Sequence, residues 1–480
     1  MKALDSTLID YFRVVADRPP SKRDVGNETV TGPLCDLSHK ASAAVSDATV
    51  HRGDISGLCI SGTRLYQDIL KTSRWGQIGH TTGMARLSLS DEDKLVRDWF
   101  CQSALDLGCQ VNVDAVGNIF AILPGKNMNL APIAMGSHLD TQPAGGRFDG
   151  ILGVIAGLEV LRTVQESGFQ TYAPLAAVNW TNEEGARFTS GCTGSAVWSN
   201  HSSITAAQQM LTLDDSPCPT TMKQELQRIG YLGSLASDFR SNPLSGHFEL
   251  HIEQNTRLER QGKRIGIVEG VQGIKWYKVT CKGERAHAGS TPMEVRADAM
   301  VASAKIIASL EASARLHGAF ATVGVLTLER SSSNTVPGHA QFTIDLRHPS
   351  AKILDQMEAE IKSNMDVAMK ENPKITFELD EVWHSPAVRF DTAAVACVAE
   401  AAEARAAPSG VMRMDSFAGH DSALSASKVP TAMIFVPSQG GISHAPEEYT
   451  SKEQCEDGAQ ALLQSVLAYD ALLRRKISFM

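Results

Sequence analysis

The sequence lacks several features that would assign the chain to a specialised class of protein. Its nine cysteines are an odd number without CxxC pairs, so neither a disulfide framework nor a cysteine-based zinc site is indicated. The longest apolar stretches, such as 173–178 and 429–436, are far shorter than the roughly 20 residues of a membrane-spanning helix. No lysine- and arginine-rich block is present, and the net charge is -9. We therefore expect neither a membrane nor a nucleic acid as a partner.

The amino-terminal region lacks the apolar core of a secretory signal and carries Asp5, Asp10 and Asp17. Together with the scattered cysteines, this favours a reducing compartment, and we expect the protein to be cytoplasmic. Residues 1–60 mix proline, glycine, serine and charged residues without sustained periodicity. They predict an extension that is at least partly disordered.

The sequence does have a globular composition, with 43% hydrophobic and 21% charged residues, and its 480 residues suffice for two or three domains. Helical periodicity begins at Ser61, and Ser90 opens a second helix with a capping-box pattern. Short β-rich runs then alternate with helical patterns, which predicts an α/β sheet domain. The predicted strands are 116–123, 133–137, 175–180 and 248–252, and the predicted helix is 151–166.

A different pattern begins near residue 265 and has the order strand-helix-strand-strand-helix-strand of the ferredoxin-like split βαβ motif. Its predicted strands are 274–281, 322–328, 340–346 and 375–382, and its predicted helices are 298–316 and 353–368. A helix at 392–406 and a strand at 431–436 then return to the first pattern. We predict a larger α/β domain in two parts, 61–264 and 385–480, with an α+β domain inserted at 265–384.

Candidate metal ligands follow the strand predicted at 133–137, in the segment GSHLDTQPAGGRFDG. His138 stands at the strand's end, Asp140 follows, and Asp149 immediately precedes the predicted helix. Ligands bind at this edge of open α/β sheets, and imidazole with carboxylate is a normal Zn²⁺ ligand set. An alternative remains open, in which Asp149 caps the helix and His138 makes a buried hydrogen bond.

The segment TNEEGARF follows the apolar strand at 175–180 and presents Glu183 and Glu184 side by side. Adjacent residues at a strand end point in opposite directions, so the two carboxylates should differ in role. One can bind a metal while the other moves protons. A solvated acidic turn is the alternative, and the buried strand before it makes that alternative less favourable.

Two further histidines lie at strand ends, His251 in FELHIEQN and His444 in PSQGGISHAPEE. Either one alone is more often structural than a metal ligand. Four such segments, all at the carboxyl ends of predicted strands, favour one shared metal site.

Together these segments resemble the M20-type amidohydrolases, specifically the branch that contains N-carbamoyl-L-amino acid hydrolase, β-ureidopropionase and allantoate amidohydrolase. The similarity runs from about Ser61 to Leu472 and keeps the order GSHLDT, GGRFDG, TNEEGARF, HIEQ, HAGSTPM, NTVPG, DLR, AGHDS and GGISHAPEE. It implies a mixed-sheet di-metal hydrolase domain with an inserted ferredoxin-like lid and dimerisation domain, and hence a homodimer. M20 peptidases carry a carboxylate where His251 stands, which favours the amidohydrolase branch.

By this resemblance, two divalent ions share one carboxylate. The ligand sets are His138, Asp149 and His251 for one ion, and Asp149, Glu184 and His444 for the other. Zn²⁺ is the favoured metal, and Mn²⁺, Co²⁺ and Ni²⁺ also fit such ligands. Asp140 is expected to orient the His138 ring through its carboxylate. Glu183 is expected to be the general base.

The resemblance also assigns a substrate site. His287, Asn334 and Arg347 are expected to reach the substrate from the lid, with Gln254 and His420 contributing from the larger domain. An arginine fork matches a carboxylate, and His287 can donate to the oxygen on which charge develops, so His287 is also a candidate catalytic residue. The structural alternatives are a surface arginine, a turn asparagine and a histidine before a helix.

The chain departs from the family pattern at two points. HIEQ is followed by Asn255 where relatives usually have Gly-Pro, and AGHDS is preceded by Ser416-Phe417 where Ser-Gly is common. Neither departure removes a metal ligand. The first is expected to alter the loop after His251, and the second to reshape the substrate pocket.

The predicted function is hydrolysis of the carbamoyl C–N bond of an N-carbamoyl amino acid, either N-carbamoyl-β-alanine or an N-carbamoyl-L-amino acid, to the amino acid, CO₂ and ammonia. The substrate is therefore a small carboxylate. Allantoate amidohydrolase is the alternative enzyme, because it shares the metal site. A peptidase or aminoacylase is disfavoured by His251. A catalytically silent binding protein on the same fold is disfavoured because no ligand is missing.

Overall fold

The computed structural model describes residues 57–213 and 218–478. Apart from its last four residues, the predicted extension at 1–60 lies outside the described residues. The chain from Ile60 onward folds as one unit, and this unit contains two main sheets. Among the described residues, no helix combines the length and apolarity needed to cross a bilayer. Seven described cysteines, Cys59, Cys101, Cys109, Cys192, Cys281, Cys397 and Cys455, form no disulfide.

The described residues form sixteen strands and twelve α-helices. The strands are β1 (Gln110–Val113), β2 (Ile119–Leu123), β3 (Ile133–His138), β4 (Leu175–Trp180), β5 (Gly246–Ile252), β6 (Ile265–Val271), β7 (Gly273–Lys282), β8 (Ala286–His287), β9 (Phe320–Thr322), β10 (Leu326–Leu328), β11 (Thr335–Val336), β12 (His339–His348), β13 (Thr376–Ser385), β14 (Val388–Arg389), β15 (Val411–Ser416) and β16 (Thr431–Val436). The helices are α1 (Gly62–Thr72), α2 (Asp91–Asp106), α3 (Ile151–Ser167), α4 (Thr193–Trp198), α5 (Ile204–Gln209), α6 (Met222–Ile229), α7 (Arg257–Arg260), α8 (Ala299–His317), α9 (Ala351–Glu371), α10 (Thr392–Ala406), α11 (Asp421–Ser425) and α12 (Lys452–Ser478).

The larger sheet is mixed and has nine strands in the order β1-β2-β4-β3-β5-β16-β6-β14, with β15 beside β6. Strands β4, β3, β5 and β16 are parallel to one another. Their outer neighbours β2 and β6 pair antiparallel. Because parallel strands end at the same edge, the segments that follow these four strands converge there. This is the predicted mixed-sheet α/β architecture.

Strand β5 separates an apolar face from a polar face. The Phe248 ring packs against Tyr469 of α12, with ring centroids 5.3 Å apart. Successive side chains of a strand point to opposite faces, so His247, Glu249 and His251 lie on the face away from α12. All three are buried. Helices α3, α10 and α12 cover the apolar side of the sheet, and the polar side leads towards the candidate site.

The second sheet has five strands in the order β10-β12-β7-β13, with β9 beside β12, and every pairing is antiparallel. Helices α8 and α9 bury their apolar residues against it. The order β7, α8, β9/β10, β12, α9, β13 is the predicted strand-helix-strand-strand-helix-strand. Strand β6 starts at the predicted boundary but belongs to the larger sheet. The domain division at 264 and 384 stays a prediction. If the domains were divided by the sheet to which each strand belongs, the inserted domain would begin at Gly273, the first residue of β7.

One predicted strand is shorter in the structure, and another is interrupted. The predicted strand 116–123 begins only at Ile119, because the Asp114 carboxylate accepts the Val116 and Asn118 N–H groups at 3.0 and 2.9 Å and holds a turn before it. Gly117 in this turn has a φ of 86°. The predicted strand 322–328 is interrupted between β9 and β10. Side-chain hydrogen bonds to nearby backbone can replace ladder bonds in this way.

The predicted capping box at Ser90 is half formed. The Ser90 hydroxyl accepts the Asp93 N–H at 3.2 Å. The Asp93 carboxylate instead accepts the Leu89 N–H and the Arg97 Nε–H, each at 2.7 Å. Arg97 also donates to the Gly117 carbonyl at 2.7 Å. Asp93 and Arg97 are fully buried, so this ion pair joins α2 to the turn before β2.

We expect Asp93→Ala to lower the free energy of unfolding by about 3–5 kcal/mol, because it leaves the Arg97 charge buried without its partner. Denaturant unfolding followed by circular dichroism measures this change. Lys94→Ala removes the neighbouring, exposed residue of the same helix and should change the stability by less than about 1 kcal/mol. Equal effects of the two substitutions would show that the buried pair contributes little.

Candidate metal centre

The convergence of the parallel strands brings the predicted ligands together. His138 is the last residue of β3, and His251 is the penultimate residue of β5. Glu183 and Glu184 follow β4, and His444 lies in the loop after β16. Asp149 precedes α3, and the start of this helix has no side-chain cap. The alternative in which Asp149 caps this helix is therefore wrong.

The buried carboxylate of Asp149 lies among three imidazole rings. Its Oδ1 is 3.1 Å from His251 Nε2 and 3.6 Å from His138 Nε2. Its Oδ2 is 3.5 Å from His444 Nε2, which is in turn 3.3 Å from Glu184 Oε2. These atoms form two compact donor groups, which share Asp149 and correspond to the two predicted ligand sets.

The tautomers of two histidines can be deduced from their neighbours. His138 Nδ1 lies 2.9 Å from the Asp140 carbonyl, and His251 Nδ1 lies 2.9 Å from the Ile252 carbonyl. A carbonyl only accepts, so each Nδ1 carries the proton and each Nε2 directs a lone pair at Asp149. The Gly150 N–H donates to His251 Nε2 at 3.2 Å, which agrees with this assignment.

The charges around Asp149 favour a cation. Burial opposes ionisation of Asp149, but its pKa lies well below the usual range because a positive charge on the His251 and His138 rings stabilises the carboxylate. Burial and the neighbouring Asp149 raise the pKa of Glu184 to about 8. When the two rings are neutral, their Nε2 lone pairs face the carboxylate at 3.1–3.6 Å, and a metal ion can supply the positive charge that a ring proton supplies otherwise. Imidazole nitrogens and carboxylate oxygens are a set that holds divalent transition metals, so the residues fit such ions.

Asp140 acts through a different contact from the predicted one. Its backbone carbonyl, not its carboxylate, faces His138 Nδ1. The carboxylate accepts the Glu183 and Glu184 N–H groups at 3.3 and 3.2 Å. The Asp140 carboxylate therefore holds the segment that carries both glutamates. The His138 ring is oriented by the backbone carbonyl of Asp140.

Glu183 lies beside the donor groups without belonging to either. Its Oε2 is 3.5 Å from His138 Nε2, and the Cys192 thiol donates to its Oε1 at 3.3 Å. The preceding Asn182 has a φ of 56°, and its amide donates to the Ser190 carbonyl and the Thr193 hydroxyl. Burial is the main reason that the pKa of Glu183 is well above its usual range. Glu183 is therefore a buried carboxyl that can carry a proton next to the centre.

Three further residues of the site were missed from the sequence. Glu448 accepts the Phe148 and Asp149 N–H groups at 2.9 and 3.0 Å. Ser443 donates to Asp149 Oδ2 at 2.6 Å, and Gln142 donates to Glu184 Oε2 at 2.8 Å. Glu448 and Ser443 flank His444 in the motif GGISHAPEE, and this proximity was the available signal. For Gln142, the sequence offered no indication of a role other than its position between the motifs GSHLDT and GGRFDG.

Gln254 and His420 both lie beside the donor groups. Gln254 Nε2 donates to Asp149 Oδ2 at 2.7 Å and to the Ser443 hydroxyl at 3.0 Å. The His420 ring is 4.5 Å from the His251 ring, and its Nε2 lies 3.0 Å from the Ser416 hydroxyl. Burial and the nearby His251 lower the pKa of His420 to about 3. His420 is thus a neutral ring behind His251.

The structure brings one of the three predicted lid residues to the site. Arg347 lines a cavity of about 190 Å³ together with Gln254. His287 and Asn334 are exposed and lie together, because β8 pairs with β11 and the Ala288 N–H donates to the Asn334 carbonyl at 2.9 Å. Within the described part of the chain, the hydrogen bonds of these two side chains reach none of the metal ligands.

The sequence and the fold have counterparts in known proteins. The model of the peptidase family M20/M25/M40 matches residues 134–468. An N-carbamoyl-L-amino-acid amidohydrolase of Rhizobium meliloti is 36% identical over 420 residues, which are 85% of this chain and 96% of that protein. An allantoate amidohydrolase of Bacillus subtilis is 34% identical over 362 residues, 74% of this chain and 85% of that protein. The crystal structure of a hydantoinase/carbamoylase family amidase from Burkholderia multivorans has a TM-score of 0.79 and 38% identity, covering 85% of this chain and 98% of that one.

We expect chelator-treated protein to bind two divalent ions per chain when Zn²⁺ is added back, as measured by elemental analysis. A thousandfold excess over Kd should raise the free energy of unfolding by about 4 kcal/mol for each ion bound, because the ions bind the folded state. His444→Ala should bind one ion fewer, whereas His80→Ala, which changes an exposed histidine elsewhere, should still bind two. Unchanged stoichiometry in His444→Ala would remove His444 from the ligand set.

Proposed function

The chain belongs to the peptidase family M20/M25/M40, and from this premise we propose that it is a metal-dependent amidohydrolase of N-carbamoyl amino acids. It hydrolyses the carbamoyl C–N bond, a non-peptide bond in a linear amide, and releases the amino acid, CO₂ and ammonia. The N-carbamoyl-L-amino-acid amidohydrolase of Rhizobium meliloti supports this substrate class.

The observation that carries this proposal is the position of Asp149. One buried carboxylate faces His138 and His251 on one oxygen and His444 on the other. Glu183 lies next to this group, and burial raises the pKa of its largely buried carboxyl well above the usual range. A shared carboxylate with a free acid/base residue beside it is the arrangement that metal-assisted hydrolysis of an amide requires.

Two divalent ions held by these residues would act as Lewis acids that polarise the carbamoyl oxygen and make water more acidic. Glu183 takes the proton of the attacking water and delivers it to the departing nitrogen. Cys192 holds one oxygen of Glu183 for this transfer, and the other oxygen lies 3.5 Å from His138 Nε2, next to the centre. Asp140 holds the backbone of the same segment.

Arg347 is proposed to bind the carboxylate of the substrate. Asp345 accepts from Arg347 Nε and Nη2 at 3.0 and 2.9 Å, which orients the guanidinium and leaves Nη1 for a second acceptor. Gln254 Oε1 is buried, and the described residues give it no hydrogen-bond donor. It can therefore accept an N–H of the carbamoyl group. His420 is proposed to support the substrate site from behind His251.

We propose Zn²⁺ as the metal, with Mn²⁺, Co²⁺ and Ni²⁺ as substitutes, because all four accept imidazole and carboxylate ligands. We also propose a cytoplasmic location. No disulfide is present among the described residues, as is usual for proteins of a reducing compartment. A catalytically silent protein is not favoured, because Glu183 and all five ligands are present.

Allantoate amidohydrolase is the second candidate. The relative from Bacillus subtilis favours it, and the two reactions would use the same metal centre. They differ in the non-reacting part of the substrate. The choice therefore depends on the cavity beside Arg347.

Glu183→Gln should keep both ions while kcat for ammonia release from N-carbamoyl amino acids falls by roughly 10²–10⁴-fold, because the amide cannot accept the proton of water. Ammonia release and elemental analysis on the same samples measure the two properties. Glu166→Gln, on an exposed part of α3, is the matched control and should behave like the unchanged protein. Normal turnover of Glu183→Gln with both ions present would assign the base to another residue.

We also propose that the inserted segment is a lid. Its five-stranded sheet, the second sheet of the chain, is proposed to form the interface of a homodimer. The lid would move His287, Asn334 and Arg347 relative to the substrate on closure. Its sheet exposes apolar side chains at the edge, Val325 at 50% and Leu326 at 38% exposure. Exposed apolar patches of this kind mark protein interfaces.

Light scattering of the purified protein should give twice the chain mass of 51.6 kDa. The double substitution Val325→Glu and Leu326→Glu should produce a monomer, because two charges would be buried in the interface. Leu70→Glu, which places one charge at an exposed leucine of α1, should leave the dimer intact. A monomeric unchanged protein, or a dimer in the double variant, would contradict the proposed interface.

A further inference from the structure

The cavity beside Arg347 has one wall that is apolar. Its apolar wall is the set of its four apolar lining residues, Met414, Phe417, Ala418 and Phe435, and the space measures about 190 Å³. The cavity opens next to the metal centre, because Gln254 lines it and also donates to Asp149 Oδ2 at 2.7 Å. A substrate held at the centre would therefore extend its non-reacting part into this space.

Three other lining residues, Glu253, Asp415 and Asn255, each have an acceptor that is already hydrogen-bonded. Both carboxylate oxygens of Glu253 accept backbone N–H groups, those of Arg257 and Leu258, at 3.1 and 2.9 Å. Asp415 accepts from Arg389, and Asn255 Oδ1 accepts the Thr256 N–H at 2.6 Å. Satisfied acceptors of this kind gain little from a polar substituent.

Phe417 is fixed between the two sheets. Its ring packs edge-on against Phe320 of β9, with centroids 5.1 Å apart, and the Arg257 guanidinium lies 5.2 Å from its centre. Its carbonyl accepts from Gln272 Nε2 at 2.7 Å. The ring thus forms a rigid end to the cavity rather than a mobile surface group.

We propose that this cavity receives the aliphatic or aromatic side chain of an N-carbamoyl α-amino acid, and that Phe417 determines which side chains fit. The inference rests on the proposed function. N-carbamoyl-β-alanine has no side chain to bury against Met414, Phe417 and Phe435. Allantoate would place its second ureido group beside the same apolar side chains, and any N–H of that group that faces Met414, Phe417 or Phe435 would lack an acceptor, which is unfavourable.

The test compares kcat/KM of the metal-loaded enzyme for N-carbamoyl-L-leucine, N-carbamoyl-L-phenylalanine, N-carbamoylglycine, N-carbamoyl-β-alanine and allantoate. The leucine compound should exceed the glycine compound by at least tenfold, since each methylene in a fitted apolar pocket contributes roughly 10- to 200-fold. A preference for N-carbamoyl-β-alanine or allantoate would overturn the inference and leave the amidohydrolase function standing. No hydrolysis of any of the five compounds would overturn both.

Variants distinguish the cavity wall from the carboxylate site. Phe417→Ala should lower the leucine-to-glycine ratio of kcat/KM by about tenfold and favour larger side chains, and Phe417→Leu, which keeps an apolar wall, should lower it less. Arg347→Ala should lower kcat/KM for every carboxylate compound and leave the ratio unchanged. Phe169→Ala, which removes an aromatic ring after α3, is the control. It should change neither kcat/KM nor the leucine-to-glycine ratio. A leucine-to-glycine ratio that Phe417→Ala does not change would overturn the role of Phe417.

Discussion

The carboxylate of Asp149, buried among three imidazole rings, is the contact on which the rest of the site depends. Gly150 must follow it, because its φ is 66° and an added Cβ would lie 2.2 Å from His138 Nε2. Glu448 accepts the Asp149 N–H at 3.0 Å and stands four residues after His444, so the two loops that meet at this carboxylate are tied together. The parallel strands supply the remaining ligands at one edge. A small displacement of Asp149 would thus affect both donor groups at once.

The fold must also accommodate polar groups beneath this centre. Glu249 is fully buried, and its oxygens accept from the hydroxyls of Ser137 and Ser422 and from the Ser422 N–H. The same Ser422 hydroxyl lies 3.3 Å from His247 Nδ1, and Trp180 donates to His247 Nε2 at 3.2 Å. Buried carboxylates are tolerated when their acceptors are satisfied. The polar face of β5 is therefore a connected layer that supports His251 from below.

Strong local patterns made much of this predictable. The mixed α/β sheet, the strand-helix-strand-strand-helix-strand order of the second sheet and the convergence of four strand ends all follow from periodicity and from the rule for parallel strands. Contacts that join distant residues were not predictable. The Asp114 side chain shortens a predicted strand through local hydrogen bonds, and the Asp140 carboxylate holds Glu183 rather than His138. His287 and Asn334 lie on a separate two-stranded sheet, which motif order alone does not reveal.

The proposed metal centre requires Asp149 to contribute an oxygen to each of two divalent ions. Anomalous X-ray diffraction at the metal absorption edge, on crystals grown with Zn²⁺, tests this requirement most directly. We expect two peaks about 3.5–4 Å apart, as in two-metal sites, one between His138, Asp149 and His251 and the other between Asp149, Glu184 and His444. A single peak, or a peak at Glu249 and His420 away from Asp149, would contradict it.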